Sequence, residues 1–551
     1  MRVKTHILIL TALFLSLGCG RGGEQDLDLG RMEAVEELSE SLANDLLALS
    51  IALRKKDLHT IQTYFEENVV GPSLPVRSGP LEQQVKWISR HGWSGDANPA
   101  RSRAREEILS EIEILLNHFS VLEDARIKVK EAEFPEEGKG RARISIFLIG
   151  RDTAGRREWC KGGGWIEVVR PGGGNWRIRS LDLDGLESQV ADIDLFSEVA
   201  LPAGVAAIFP PFGVAPNLGF ASHGAAVADI NNDGLLDIAA TGVDTNYLYL
   251  NLGDGRFRDI SKESLVAYAP PGTGPVFLDF DNDGDPDLFF AAVGRQILME
   301  NRPDPDGGIR FWNISDLANV DVSTVGFSAV AADVNGDGFT DIYVASYNRY
   351  GEVFPNKWYR ATNGTRNLLL MNQGDGTFLE AGAEWGVDDE RWSYAAGFID
   401  LDGDSDQDLY VANDFGENAL FRNDGDHFTE VAKEFGLVDP GFGMGVSFGD
   451  FDNDGDLDLH VTNMSSTAGA RILGRLSPAT LPDRELLAKL ASGNSLYENL
   501  GGGKFLEVAA RSGILAGGWA FGGGFIDFDN DGWEDLYTPN GFISGKSMKD
   551  T

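Results

Sequence analysis

A mainly β chain, in which a repeated four-strand unit follows a smaller α+β domain, is predicted by three observations. Six aspartate-rich segments recur with one internal spacing beyond residue 225. Short strand-like runs flank each of them, separated by Gly, Asn and Asp turn signals. Upstream, apolar residues change from helical to alternating spacing near residue 125.

Length and charge bound what such a chain does. At 551 residues it exceeds one ordinary hydrophobic core. Its formal net charge of −39 repels nucleic acid and anionic lipid and attracts cations, so nucleic acid is excluded as a partner. The acid excess sits in short clusters between apolar, glycine-rich stretches, unlike a disordered acidic tail.

The N-terminus reads as a targeting segment. Arg2 and Lys4 precede an apolar run, 7–17, that is too short to remain as a spanning helix. It ends in Ser16-Leu17-Gly18-Cys19, which resembles a bacterial lipobox, with Ser16 where leucine is usual. The resemblance implies a signal peptide over 1–18, lipidation of Cys19, a tether over 19–30, and an exported protein held at the membrane by its lipid alone. Cys160 is then the one remaining thiol, so the mature chain forms no internal disulfide and needs another source of rigidity.

An α+β domain is expected over 31–188. Val35, Leu38, Leu42, Leu46, Leu49 and Leu53 recur at helical spacing within 31–65, and a second helix is expected over 104–122. Strands follow at 126–133, 141–150, 159–169 and 176–183. This order, with Gly174-Asn175-Trp176-Arg177-Ile178 near its end, resembles the cone-shaped fold of nuclear transport factor two, which implies a pocket or a dimer face. His59, His91 and His118 are read as surface or capping residues.

The repeat occupies 195–551. Its loops carry Asp229, Asn231, Asp233, Gly234 and Asp237; Asp279, Asp281, Asp283, Gly284 and Asp287; and Asp333, Asn335, Asp337, Gly338 and Asp341. The others carry Asp400, Asp402, Asp404, Ser405 and Asp408; Asp450, Asp452, Asp454, Gly455 and Asp458; and Asp527, Asp529, Asp531, Gly532 and Asp535. These residues occupy positions 1, 3, 5, 6 and 9. Side-chain oxygens at 1, 3 and 5 converge, glycine at 6 permits the sharp turn, a carbonyl at 7 adds an oxygen, and the aspartate at 9 closes an all-oxygen shell. That donor set suits Ca²⁺, five or six ions in all. Five aspartates lie within nine residues in the second, fourth and fifth loops. Without a cation, such crowding costs several kcal/mol. Ser405 stands where glycine is expected, so a left-handed serine and the weakest site are expected there.

The flanks separate this pattern from other calcium loops. Position 12 is Ala240, Phe290, Val344, Val411, Val461 or Thr538, where an EF-hand requires glutamate. Successive loops start 50, 54, 67, 50 and 77 residues apart, which leaves room for about four short antiparallel strands each, the content of one propeller blade. Turns such as Asn251-Leu-Gly-Asp-Gly255, Asn372-Gln-Gly-Asp-Gly376 and Asn499-Leu-Gly-Gly-Gly503 recur between the later strands.

These units resemble the FG-GAP and VCBS repeats of integrin α-subunit heads and bacterial surface proteins. The runs beginning at Trp519-Ala-Phe-Gly and Gly443-Met-Gly-Val are similar to the cartilage acidic protein-like branch. The resemblance covers 195–545 and implies a calcium-binding β-propeller of six or seven blades, used for adhesion or for recognition of an extracellular glycan or protein. Ring closure would draw on 195–200 as an outer strand.

Counting back from each loop, position −6 is His223, Thr273, Phe327, Tyr394, Met444 or Phe521, and these are expected to ring one mouth of the channel. Trp392 and Trp519 lie two residues further out. Such a ring is open to two readings, a ligand mouth or packing between blades. The insertions 347–366 and 465–492 are further places for a partner. An enzymatic alternative, such as a calcium-dependent polysaccharide lyase, would need a base, for which His223 and His460 are the candidates. No nucleophile-elbow, zincin or phosphate-cradling motif is found, so binding without catalysis is expected.

Overall fold

In the computed structural model the described residues are 29–540, apart from 86, 96–100, 195, 207–223, 303, 306, 350–351, 358, 466–483 and 516. Cys19, His223 and Trp358 lie outside them, as does most of the second insertion. The chain divides into two compact units: one formed mainly by 22–198, the other by 199–466 and 483–545.

The first unit is α+β. Leu42, Leu46 and Leu49 bury one face of the helix Leu29–Arg54. The helix stops before the expected boundary at 65, because Lys56 takes a left-handed backbone (φ 54°) and its Nζ reaches the Phe119 carbonyl at 2.6 Å. The helix Arg105–Asn117 buries Ile108, Ile112, Leu115 and Leu116. An eight-stranded sheet completes the layer pair, with the long strands Phe119–Glu136, Lys139–Asp152, Arg157–Val169 and Arg177–Ala191 adjacent in sequence order. Four shorter strands, Phe65–Val70, Val76–Val85, Ile88–Ser94 and Ser102–Ala104, extend the sheet beyond the sequence expectation. The inward residues of the long strands, among them Val129, Ile144, Cys160 and Ile166, close the core.

The second unit is a succession of antiparallel sheets in which each inner strand contacts the next. Blade one consists of Ala225–Ala228, Asp237–Thr241, Asn246–Asn251 and Phe257–Asp259. Blade two consists of Gly274–Leu278, Asp287–Ala291, Ile297–Asn301 and Phe311–Asn313. Blade three has Ser323–Ala332, Asp341–Ser346, Leu368–Asn372 and Phe378–Glu380, with Val293–Arg295 added beside its first strand. Blade four has Ser393–Ile399, Asp408–Asn413, Ala419–Asn423 and Phe428–Glu430, and blade five Gly443–Gly449, Asp458–Asn463, Ser495–Asn499 and Phe505–Glu507. A sixth sheet has two described strands, Gly524–Ile526 and Asp535–Tyr537. The helix Arg484–Leu490 falls where the sequence places it.

Packing between blades follows a fixed rule. The second residue after each ninth-position aspartate faces the following blade, so Tyr343 and Tyr410 are 0% exposed. In the sixth sheet the equivalent Tyr537 is 62% exposed. Ahead of blade one, 196–199 is not strand; a single turn, Ala200–Ala203, follows it and is capped by left-handed Gly204. The same cap ends the turns Gly382–Trp385 and Ala432–Phe435. A Cβ on Gly204 would lie 2.6 Å from the Phe257 carbonyl, the seat that Gly386 takes against Phe428 of its neighbouring blade. The turn thus docks on blade one as the end of a preceding blade.

Candidate metal loops and channel mouth

Each loop is held open by its own backbone. Asp229 accepts the Asp233 and Gly234 amides at 3.0 and 2.7 Å, and Asp279, Asp333, Asp450 and Asp527 repeat this pair of bonds. The turn requires a left-handed residue at position 6, which glycine supplies in five loops. Ser405 adopts the same conformation at φ 82°, as the sequence requires, and the fourth loop rearranges: Gly403 rather than Asp404 donates to Asp400 Oδ1 at 2.8 Å.

The ninth-position aspartate is the structural anchor. Asp287 accepts the Phe280 amide at 3.2 Å and the Asn301 amide at 2.8 Å, tying its loop to the third strand. Asp237, Asp341, Asp408 and Asp458 do the same. Burial pushes these carboxyls up, to about 8 for Asp287, about 7 for Asp408 and about 6 for Asp341 and Asp458, despite the amide bonds that favour the charged form.

Three carboxylates converge within 4.8 Å in four loops: Asp279, Asp281 and Asp287; Asp400, Asp402 and Asp404; Asp450, Asp452 and Asp458; and Asp527, Asp529 and Asp535. These clusters can hold metal ions, and the donor set fits a hard cation. Oδ1 of Asp406, Asp452 and Asp529 is buried without a hydrogen-bond partner, an arrangement a cation would relieve. In the first and third loops, the Asn231 and Asn335 amides donate to Asp233 and Asp337 at 3.0 and 2.9 Å. A cation there would need those amides turned to present their carbonyl oxygens.

One set of residues carries the loops into the blades and escaped functional reading. Asn301, Asn372 and Asn423, at third-strand ends, donate Nδ2 to Ile230, Phe280 and Val334 carbonyls in the loop of the preceding blade, at 2.7–3.0 Å. Their recurrence with Asn251 and Asn499 before a glycine turn was the available signal.

At the far end of the inner strands, Phe327, Tyr394 and Phe521 converge. Phe327 and Tyr394 lie 5.1 Å apart, and Tyr394 and Phe521 6.2 Å, measured between ring centroids. All three are partly exposed. Thr273 and Met444 are buried. Trp392 is fully buried beneath this ring, 4.7 Å from Tyr347 and 5.4 Å from Phe415, with Nε1 bonded to Asn363 of the first insertion. Trp392 therefore packs behind the mouth rather than lining it. Trp519 is half-buried and bridges to Met464. His460 is buried in a strand, with Nδ1 2.9 Å from the Ser495 carbonyl, and burial pushes it down to about 4.

The first unit holds a second polar centre. Glu158, fully buried, lies 2.7 Å from His118 Nε2 and accepts from Arg77 at 2.7 Å and from Ser188, whose hydroxyl also accepts from Trp93 Nε1. His118 thus caps its helix and joins this network. His91 is buried between Ser89 and Ser78, and His59 is exposed.

With this geometry in place, the family match falls within the second unit. A family described as FG-GAP-like repeat matches 229–290, 333–411 and 400–461, intervals that together contain the first five loops complete. The chain carries FG-GAP-like repeats. Cartilage acidic protein 1 of Mus musculus and of Homo sapiens is 29% identical over 164 residues, 26% of this chain. The chain spans 25% and 24% of the length of these relatives. Among solved structures, an Agrocybe aegerita lectin described as recognising non-reducing terminal N-acetylglucosamine is 14% identical, covering 66% of this chain and 78% of its own, with a TM-score of 0.30. An NTF-2-like protein of Shewanella oneidensis MR-1 is 9% identical, covering 27% of this chain and 99% of its own, with a TM-score of 0.19.

Proposed function

We propose that this chain is an exported, calcium-stapled β-propeller that recognises an extracellular glycan or protein and carries out no catalysis. The observation that carries the reading is the joining of two features in blades two, four and five. Convergent carboxylates face one end, and their ninth-position aspartate clamps the strands that lead to the other. Filling the loops with Ca²⁺ would fix the inner strands and hold Phe327, Tyr394 and Phe521 as a preformed surface. The neutral, strand-bound His460 is committed to packing, which favours binding over chemistry. Cys19 would anchor the protein to the membrane through lipid, leaving the propeller free to meet its ligand.

The test is a glycan and protein array probed with the calcium-loaded chain and with Tyr394→Ala and Phe521→Ala. A ligand retained by the parent and lost by variants of unchanged melting temperature supports recognition at the mouth. Variants that unfold assign these rings to packing, and binding untouched in folded variants places the ligand elsewhere.

A further inference from the structure

The aromatic mouth is closed at its base by a carboxylate with an unused oxygen. Asp414 follows blade four's second strand, whose register pairs Asn413 with Ser393, so it sits at the end of the blade away from the calcium loop. It is 4% exposed. Its Oδ2 accepts a short hydrogen bond from the Tyr347 hydroxyl, and its Oδ1 is buried with no partner. Its amide donates to the Trp392 carbonyl at 2.9 Å, which fixes the residue behind the ring. Around it, Tyr347 lies 4.6 Å from Phe327 and 5.6 Å from Tyr394. Burial raises the Tyr394 phenol, and the Asp414 charge adds to the rise.

A buried carboxylate with one free oxygen is costly unless it takes up a proton or meets a positive group; burial pushes Asp414 up to about 7, and no described Lys, Arg or His pairs with it. Aromatic faces attract organic cations as well. Among the described residues Asp414 joins no cluster of three His, Cys, Asp or Glu side chains, which disfavours a metal ion there. We propose that the channel mouth binds an organic ammonium group, with the cation against Asp414 Oδ1 and the rings of Phe327, Tyr347 and Tyr394 around it. Phe327 and Tyr394 are partly exposed, and one of these rings must rotate for the cation to reach the carboxylate. The proposal rests on the recognition reading above and names the chemistry of that ligand. The ammonium could belong to an amino sugar or to a lysine side chain.

The experiment is calorimetric titration of the calcium-loaded full chain with n-butylammonium and its neutral analogue n-pentanol. Glucosamine and Nα-acetyl-lysine amide then distinguish the two sources. The expected result is binding of the ammonium at least about tenfold tighter than of the alcohol, lost by about tenfold in Asp414→Asn. Tyr394→Leu, which keeps bulk but removes the π face, should weaken binding too and serves if Asp414→Asn does not fold. Equal binding of amine and alcohol, or no binding of any ammonium, overturns the proposal. So does binding unchanged in folded Asp414→Asn. An array ligand lost in Tyr394→Ala but indifferent to Asp414→Asn would leave the recognition reading standing while this one fails.

Discussion

Replacing Asn423 with alanine isolates the latch that joins one blade's third strand to its neighbour's loop. Asn423 Nδ2 donates to Val334 O across the blade boundary at 2.8 Å and to Gln407 O at 3.4 Å, and its Oδ1 accepts the Gly425 amide at 2.9 Å. The residue is buried, so alanine strips the Val334 carbonyl of this partner where water does not readily replace it. A buried polar group left unpaired costs about 1–3 kcal/mol, and the weaker bonds bring the expected loss to about 2–4 kcal/mol. Asn251 is the internal control. It makes the own-blade bonds to Leu236 O and from the Gly253 amide, both exposed, and no cross-blade bond among the described residues. Asn251→Ala should cost about 1 kcal/mol. Urea unfolding of both variants at fixed calcium measures the difference. Equal losses would refute a stabilising cross-blade latch.

Two further substitutions test neighbouring features. His460 is held neutral by burial, so its folded pKa of about 4 lies below the unfolded value of about 6.5. The stability this provides is present above pH 6.5 and is lost as pH falls toward 4, by about 3 kcal/mol. His460→Phe, matching Phe289 of blade two, should flatten that part of the pH–stability curve; an unchanged slope would contradict the assignment. Ser405→Gly should relieve a left-handed non-glycine residue worth about 1 kcal/mol, raise the melting temperature and tighten one calcium site. An unchanged or lower melting temperature would show that the fourth loop is not strained.

The loops and blades were legible because their chemistry is local. Nine residues contain a whole turn, and Ser405 announced its conformation by standing where glycine is needed. The role of Asn423 was half legible: its repetition is visible, but its partner Val334 is 89 residues away. The Tyr347–Asp414 pair was not legible, since packing joins residues 67 apart from two blades. In the first unit, Val76–Val85 and its partner strand escaped because repeated register shifts break the alternation that marks a strand. Trp392 was placed on the mouth by counting, which gives position along a strand but not the covering supplied by Ala361 and Phe415.

The most direct test is to measure the calcium content and thermal unfolding of the purified chain with and without a chelator. About five or six bound ions, one per loop, and a melting transition that falls sharply on chelation are predicted. No bound calcium and an unchanged melt would contradict the account, leaving the buried aspartate oxygens of the loops to be satisfied by something other than a metal ion.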